Sequence, residues 1–461
     1  MSRTIRALVL LPALVAGGCA ARSETPMSTI AAPVTLATGR VSDAAFETAW
    51  WRQFDDAVLD RLVDDALSGN RDMQAAAARH DAALELAGAA RRALLPSGGV
   101  SVTASRQHLA VDEPGGRVMP SRTFSLGGGG LAVAWEADLF GRLRGAAAAA
   151  LADAGAAEHD VHGLRVATGA AVARTYFQYR AAEREVELLD ALAARTHQME
   201  EVTRARLANG RATRLDVARV RQVVEEIVSA RALAAHQVEA ARQALAVLTG
   251  RTADGWHVPR TEAQPLSARV LSIGAASDLL RRRPDVAAAA LRLEAASRRA
   301  GVTRAALFPR VDILGSIGLI AGSGGRLLES SAASWLVAPR VAWTVFDWPR
   351  LRRQMRAAGH AAEAAFFDYE QAALAAIGDA RTAVDAYGAS VEQLAAEVRR
   401  SQAAEEAATV VAVQYREGLV DSFTRTEAER QAISASRAAN RALLAQRRAV
   451  VDLYRAVGGG W

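Results

Sequence analysis

The sequence predicts an α+β membrane protein built as a tandem duplication, each copy holding one long α-helical hairpin and one β-hairpin. Three observations carry this reading. First, two very long stretches lack proline: none falls between Pro120 and Pro259, and none follows Pro349. A proline inside a helix removes a backbone bond and clashes with the preceding turn, so both stretches are free to run as continuous helix. Their wealth of Ala, Arg, Glu, Gln and Leu favours one. Second, landmarks recur at a fixed step. Gly210, Trp135 and Arg142-Leu143-Arg144 return 208 residues later as Gly418, Trp343 and Arg350-Leu351-Arg352. Upstream the step is 213, taking Leu67 to Leu280, Asp72 to Asp285, Gly88 to Gly301 and Pro96 to Pro309, so five residues are absorbed between Pro96 and Trp135. A repeat of this kind means each copy is one structural unit. Third, the apolar period changes just before each long helical stretch, from helical spacing to strict alternation.

The chain begins with Arg3, Arg6, an apolar run from Ala7 to Ala16, then Gly17-Gly18. Residues 1–18 read as a secretory signal whose apolar core is too short to span a membrane. Cys19 is the single cysteine, so no intramolecular disulfide forms. Ala16-Gly17-Gly18-Cys19 resembles a bacterial lipoprotein box, which implies a lipidated Cys19 at the mature N-terminus and, with Ala20 after it, the outer membrane. A Ser/Thr/Pro/Ala-rich tether follows within residues 19–56.

The first repeat covers residues 57–250. A helix is expected from Ala57 to Leu94, stopped by Pro96. A β-hairpin follows over 98–137. Val100, Val102 and Ala104 alternate with Ser101, Thr103 and Ser105, and Phe124, Leu126, Leu131, Val133 and Trp135 lie across the run Gly127 to Gly130. Asp112-Glu113-Pro114-Gly115-Gly116 supplies the loop. A long helix from Leu143 to Leu207 would be about 97 Å long at 1.5 Å per residue. The chain turns over residues 207–216 with its pivot at Gly210. The return helix carries a seam at Val217, Val220, Val224, Ile227, Arg231, Ala234, Val238, Ala241, Leu245 and Leu248, which is coiled-coil spacing.

A connector, 251–276, leads to the second repeat, 277–457. It comprises a helix from Ser277 to Leu307, a β-hairpin over 310–346 with its loop at Gly322-Ser323-Gly324-Gly325, and a long helix from Arg350. A turn over 415–427 pivots at Gly418, and a last helix runs from Phe423 to Val457, before a short tail, 458–461. Strands of about ten residues are long enough to cross a bilayer when tilted. Four strands cannot close a useful pore, and open edges cannot face lipid. The barrel must therefore be shared, and three chains would supply twelve strands. The loops near Gly115 and Gly324 would then lie on the side of the membrane opposite the long helices, which is outside the cell if those helices form a periplasmic tunnel.

Composition narrows the function. Hydrophobic residues make up 51% and aromatics 5%, with alanine dominant, which suits a rod or barrel of close helices better than a thick globular core. There is no lysine, so all 56 basic residues are arginine, giving a formal charge of +6. The 50 acids are interleaved with them, which marks solvated helix faces and argues against a nucleic-acid partner. Without lysine a Walker-type phosphate loop is excluded. His159 and His162 stand at helical spacing with no third ligand, so no metal site is expected. No enzyme activity and no cofactor are expected. Trp135, Trp335, Trp343 and Trp348 sit near strand ends, where they form either an aromatic belt at the membrane interface or packing at the end of the barrel.

The residues also carry a resemblance that spans nearly the whole mature chain. Its motifs are Trp50-Trp51 with Asp55-Asp56-Ala57-Val58-Leu59, Ala66-Leu67-Ser68-Gly69-Asn70, and Trp135-Glu136-Ala137-Asp138-Leu139-Phe140-Gly141-Arg142. The most diagnostic runs are Leu279-Leu280-Arg281-Arg282-Arg283-Pro284-Asp285-Val286 and Ala305-Ala306-Leu307-Phe308-Pro309. With these the chain resembles the TolC-like outer-membrane efflux channels, in the lipoprotein branch that serves resistance-nodulation-division pumps. The resemblance implies a homotrimer with a twelve-stranded outer-membrane barrel and a twelve-helix periplasmic α-barrel. It implies an equatorial belt from the termini and the connector, and partners in a periplasmic adaptor and an inner-membrane pump. The cargo would be small molecules such as drugs or toxic compounds. It places Gly210 and Gly418 at the periplasmic tip, Asp216 and Tyr415 at positions that hold the tip closed by a hydrogen bond, and Asp421 and Glu427 where threefold symmetry makes acidic rings. The sequence departs from the family pattern at Ala290, at Trp348-Pro349 and at Leu207, which replaces the tyrosine expected before the first pivot. Two alternatives stand beside this reading: the outer-membrane duct of a type I protein-secretion system, and a periplasmic coiled-coil adaptor or scaffold.

Overall fold

A computed structural model describes residues 35–44, 48–111, 123–259, 270–322, 326–327 and 329–459. Cys19 and the loop glycines Gly115 and Gly324 lie outside the described residues. The chain divides into two compact units. The first contains Arg79–Ala157 and Ala289–Tyr369, and the second contains Glu158–Ala288, Glu370–Trp461 and the described part of Thr29–Ala78.

The first unit is organised by one four-stranded antiparallel sheet. Its strands are β2 (Ser97–His108), β3 (Thr123–Ala137), β5 (Arg310–Ala321) and β6 (Ala333–Ala342), in that order. The two expected hairpins are thus joined through β3 and β5, whose register sets Leu131 opposite Ile317 and Trp135 opposite Ile313. The second hairpin ends at Ala342, short of the expected 346.

Residues paired across a sheet point to the same face, so the register sorts every side chain. One face carries Val100 and Val102, then Leu131, Val133 and Trp135, then Val311, Ile313, Ile317 and Leu319, then Trp335, Val337 and Val341. The other carries Ser101, Thr103, Ser105, Glu136, Asp312, Ser316, Ser334 and Arg340, mixed with Phe124, Leu126, Leu314, Ile320 and Leu336. Among the described residues nothing covers the apolar face: Val102 is 83% exposed and Trp335 78%. Pro339, which has no N–H to give, stands on the edge strand β6, where proline is tolerated.

Within the same unit the start of α3 (Arg142–Ala208) lies close against α6 (Pro284–Ala305). A Cβ on Gly145 would approach Val302 Cγ2 to 3.0 Å, and one on Gly155 would approach Leu291 Cδ1 to 3.1 Å. Asp138 prepares the start of α3, its carboxylate accepting from the N–H groups of Leu143 at 3.0 Å and Arg144 at 2.9 Å. The indole N–H of Trp135 donates to the Leu94 carbonyl at 3.0 Å, and that of Trp343 to the Leu307 carbonyl at 3.1 Å. These bonds tie both tryptophans to the strand-proximal helix ends, while their rings stay partly exposed.

The second unit holds the buried core. Trp50, Leu59, Tyr176, Tyr387, Leu453 and Tyr454 are almost fully buried there. A two-stranded parallel pair, β1 (Val41–Ser42) with β4 (Leu271–Ser272), ties the N-terminal segment to the connector. Asp56 caps α1 (Ala57–Gly69) by accepting from Val58 N at 3.0 Å and Leu59 N at 3.3 Å. Its other oxygen accepts from the Tyr176 hydroxyl at 2.6 Å. Burial and that carboxylate push the Tyr176 phenol well above its ordinary pKa.

The helix expected over Ala57–Leu94 is broken. α1 ends at Gly69 and α2 (Arg71–Arg92) starts after Asn70. The Asn70 side chain accepts from Asp72 N at 2.9 Å and Met73 N at 3.2 Å, and its amide donates to the Leu248 carbonyl at 2.9 Å, at the end of α4 (Arg214–Leu248). The second copy repeats the device with different chemistry. A short α5 (Leu279–Arg282) is separated from α6 by Arg283, so the helix expected over Ser277–Leu307 is also broken. The Arg283 guanidinium donates to the Ala456 carbonyl at 3.1 Å, at the end of α8 (Ser422–Ala456). It also pairs with Asp285 at 2.6 Å and Asp379 at 3.1 Å. The last long helix, α7 (Trp348–Arg416), begins two residues before the expected Arg350; its second position is Pro349, where the missing N–H costs nothing.

Glycines close both seams. Gly250 has φ +75°, and a Cβ there would stand 2.1 Å from the Gly69 carbonyl oxygen; Gly458 has φ +80°, with the Arg282 oxygen at 3.0 Å. Gly250→Ala meets both the left-handed conformation and a backbone oxygen, so we expect a loss of about 3 kcal/mol. Gly210→Ala, with φ +73° and open space around it, should cost only about 1–2 kcal/mol. Urea unfolding of the two purified variants checks the order; equal losses would show that the seam contact is not formed.

Candidate functional site

The site is the end of the second unit where the two long hairpins turn. Both turns are built alike. After α3, Gly210 takes φ +73°, Gly210 N donates to the Leu207 carbonyl at 3.0 Å, and Arg211 N donates to the Arg206 carbonyl at 2.8 Å. After α7, Gly418 takes φ +74°, Gly418 N donates to Tyr415 O at 3.1 Å and Leu419 N to Gln414 O at 2.9 Å. Each is a left-handed glycine cap that satisfies the last helix carbonyls.

The return helices start on an exchanged pair of caps. In α4 the cap is Thr213 and the third position is Asp216: Asp216 N donates to Thr213 Oγ1 at 3.2 Å, while Asp216 Oδ2 accepts from Thr213 N at 2.9 Å and Thr213 Oγ1 at 2.7 Å. This is a reciprocal capping box. In α8 the residue types are swapped: Asp421 is the cap, accepting from Thr424 N at 2.8 Å. The Thr213 N–H holds the Asp216 carboxyl below its ordinary range, and the Thr424 N–H does the same for Asp421.

Glu427 lies one turn into α8. It accepts from Arg430 Nε at 2.9 Å, Arg430 Nη2 at 2.8 Å and Gln431 Nε2 at 3.0 Å, and the Arg430 bonds keep its carboxyl below the usual value. The Tyr415 ring lies under Arg425, whose Cζ is 5.2 Å from the ring centre. Within the chain Asp216 is bonded to Thr213 and not to Tyr415.

Asp216, Asp421 and Glu427 border one cleft of about 380 Å³; Tyr415 is not part of its lining. Met199, Val220, Val223 and Phe423 give the cleft apolar walls, and Arg206, Arg211, Arg219 and Arg430 stand beside the three acids. In the sequence these arginines look like the other solvated helix charges. Their signal was local: Arg206 and Arg211 flank the pivot Gly210, and Arg219 is one turn after Asp216. His159 and His162 have ring centres 5.8 Å apart, and among the described residues no group of three or more metal-ligating side chains is assembled.

The outer membrane efflux protein family matches residues 62–251 and 275–459. The chain belongs to this family. Outer membrane protein OprJ of Pseudomonas aeruginosa is 30% identical over 98% of this chain and 95% of its own length. The toluene efflux pump outer membrane protein TtgC of Pseudomonas putida is 27% identical over the whole of this chain and 96% of its own. Among solved structures, the outer-membrane channel OprN superposes with a TM-score of 0.89 at 32% identity, covering 96% of this chain and all of that one. The open state of the Neisseria gonorrhoeae MtrE channel gives 0.79 at 27% identity, covering 95% and 98%. This efflux protein is therefore an outer-membrane channel of the TolC-like fold, from a family of ducts.

Losing a helix cap costs about 1 kcal/mol, a roughly fivefold change in local opening. Thr213→Ala and Asp421→Ala should each raise amide hydrogen exchange by that factor in the first turn of its own helix, α4 or α8, and leave the other turn unchanged. Unaltered exchange in both variants would mean that these caps are not formed in solution.

Proposed function

We propose that three copies of this chain close a twelve-stranded barrel in the outer membrane, continued by a periplasmic tunnel of twelve helices. An inner-membrane resistance-nodulation-division pump would feed the duct through a periplasmic adaptor that docks at the tip. The carrying observation is the sheet: one face predominantly apolar and bare, the other mixing polar with apolar side chains, and two edges, on β2 and β6, that find no partner strand among the described residues. Such a sheet suits lipid on one side and water on the other. It also separates this reading from a coiled-coil adaptor, which has no use for it. Relatives at the same coverage carry names such as antibiotic efflux pump outer membrane protein ArpC and toluene efflux pump outer membrane protein TtgC. Small toxic molecules are accordingly the cargo we assign, in preference to secreted proteins.

A duct of this kind needs no cofactor and no catalytic group, because the pump supplies the energy. Cys19 would carry the acyl anchor, including a palmitate, and 19–56 would serve as tether and equatorial segment beside the connector 251–276. The acids at the tip would face the lumen as rings of three. Both bonds from Thr213 fall on Asp216 Oδ2, which leaves Oδ1 to accept the Tyr415 hydroxyl of an adjoining copy. A hydrogen bond to a charged acceptor contributes about 1.5–3 kcal/mol, enough to bias a closed tip without locking it.

Deleting the gene in its own host should raise susceptibility to small hydrophobic toxicants, and the wild-type gene should restore resistance; restoration of protein secretion alone would overturn the reading. Single cysteines replacing Gly115 or Gly324 should react with an impermeant thiol reagent on intact cells, and labelling only after the periplasm is opened would reverse the topology. In planar bilayers Asp216→Ala and Tyr415→Phe should raise single-channel conductance modestly, and Glu427→Ala should weaken block by divalent cations. Unchanged behaviour in assembled channels would place the closure on other residues.

A further inference from the structure

The apolar face of the sheet carries an open groove of about 680 Å³. Its floor is Gly127 and Gly129, and its walls are Val102, Ala104, Leu319 and Leu327. The floor is low because two side chains are missing from it. A Cβ on Gly127 would meet only Leu327 Cδ1, at 4.0 Å, and one on Gly129 would meet Val102 Cγ2 at 3.3 Å. Along β3 the next positions on this face are large: Leu131, Val133 and Trp135.

A cation closes one end of the groove. Arg106 lines it and, by register opposite Ser125, stands on the same face as Val102 and Ala104. It is exposed, and among the described residues it forms no ion pair. Arginine on the lipid side of a strand is costly near the bilayer centre and nearly free at the interface. At an interface it is drawn to anionic headgroups, and its planar fork matches a phosphate. The next outward pair on this face is polar, His108 Nδ1 and Thr123 Oγ1 lying 2.6 Å apart. The apolar stretch therefore ends at Arg106, where β2 leaves for the loop that the duct reading places outside the cell.

We propose that this groove is a lipid site: one acyl chain lies along Gly127 and Gly129 between Val102 and Leu319, and a phosphate of the same outer-leaflet lipid sits on Arg106. The inference rests on the duct reading, which makes this face the membrane face and this end the outer one. The ligand is a phosphate-bearing acyl lipid of the membrane, not free phosphate, because the groove supplies an apolar bed as well as a charge.

The test uses the full-length channel extracted in detergent and offered three probes: lipid A with both phosphates, the same lipid enzymatically dephosphorylated, and inorganic phosphate. Retained lipid is counted by native mass spectrometry. Wild type should keep phosphorylated lipid A about tenfold better than its dephosphorylated form and should not bind inorganic phosphate. Arg106→Gln should abolish the preference while keeping residual acyl binding. Gly127→Val fills the floor from a Cβ that meets no backbone atom within 4 Å, and should lower retention of both lipids. Equal retention of both lipids by wild type, or retention unaffected by either variant, would overturn the site. In those cases an intact, conducting oligomer keeps the duct reading, whereas a chain that never inserts as an oligomer removes both.

Discussion

An unpaired backbone N–H or C=O inside a bilayer costs several kcal/mol, and this chain presents two strand edges' worth of them. β2 and β6 bound a four-stranded sheet whose inner pairings are complete. The edges run in opposite senses, because the sheet is antiparallel throughout. The β6 edge of one copy is therefore suited to the β2 edge of the next. Such head-to-tail contacts either close into a ring or run on without end, and the inward twist and stagger of strands in a barrel favour closure. Much else follows from that closure: one face must be apolar, the other must tolerate water, and each strand must deliver its helix on the same side of the membrane.

The duplication answers the last requirement with two seams of one design. In each, the break between a short and a longer helix meets the end of a return helix, and a left-handed glycine lets the backbones touch. The contacts are equivalent but the chemistry differs. Asn70 reaches the Leu248 carbonyl with an amide, and Arg283 reaches the Ala456 carbonyl with a guanidinium that also gathers Asp285 and Asp379. A neutral amide and a charged cluster fill the same position, so the constraint lies in satisfying a helix-end carbonyl and not in a particular side chain.

How much of this could be read in the sequence depends on the range of the interaction. The long helices were legible because missing proline and helical composition act locally, and the tip pivots because Gly210 and Gly418 answer to their own φ. Alternation in Val100–Ala104 and Val311–Leu319 marked the strands. The helix breaks were not legible, since Asn70 and Arg283 answer to carbonyls 178 and 173 residues away. Nor was the joining of the hairpins through β3 and β5, which is a choice of neighbours that the alternation leaves open. At the tip the acids were found through the family pattern, but the four arginines beside them were not, because an arginine on a helix face carries no mark of the cleft it borders.

The account stands on the sharing of the barrel between copies, and the mass of the particle extracted from membranes is its most direct measure. Native mass spectrometry of the channel in a mild detergent should find three chains per particle and no stable monomer. A conducting particle of one or two chains would contradict it, since four or eight strands would then be closing the pore without the third copy's edges.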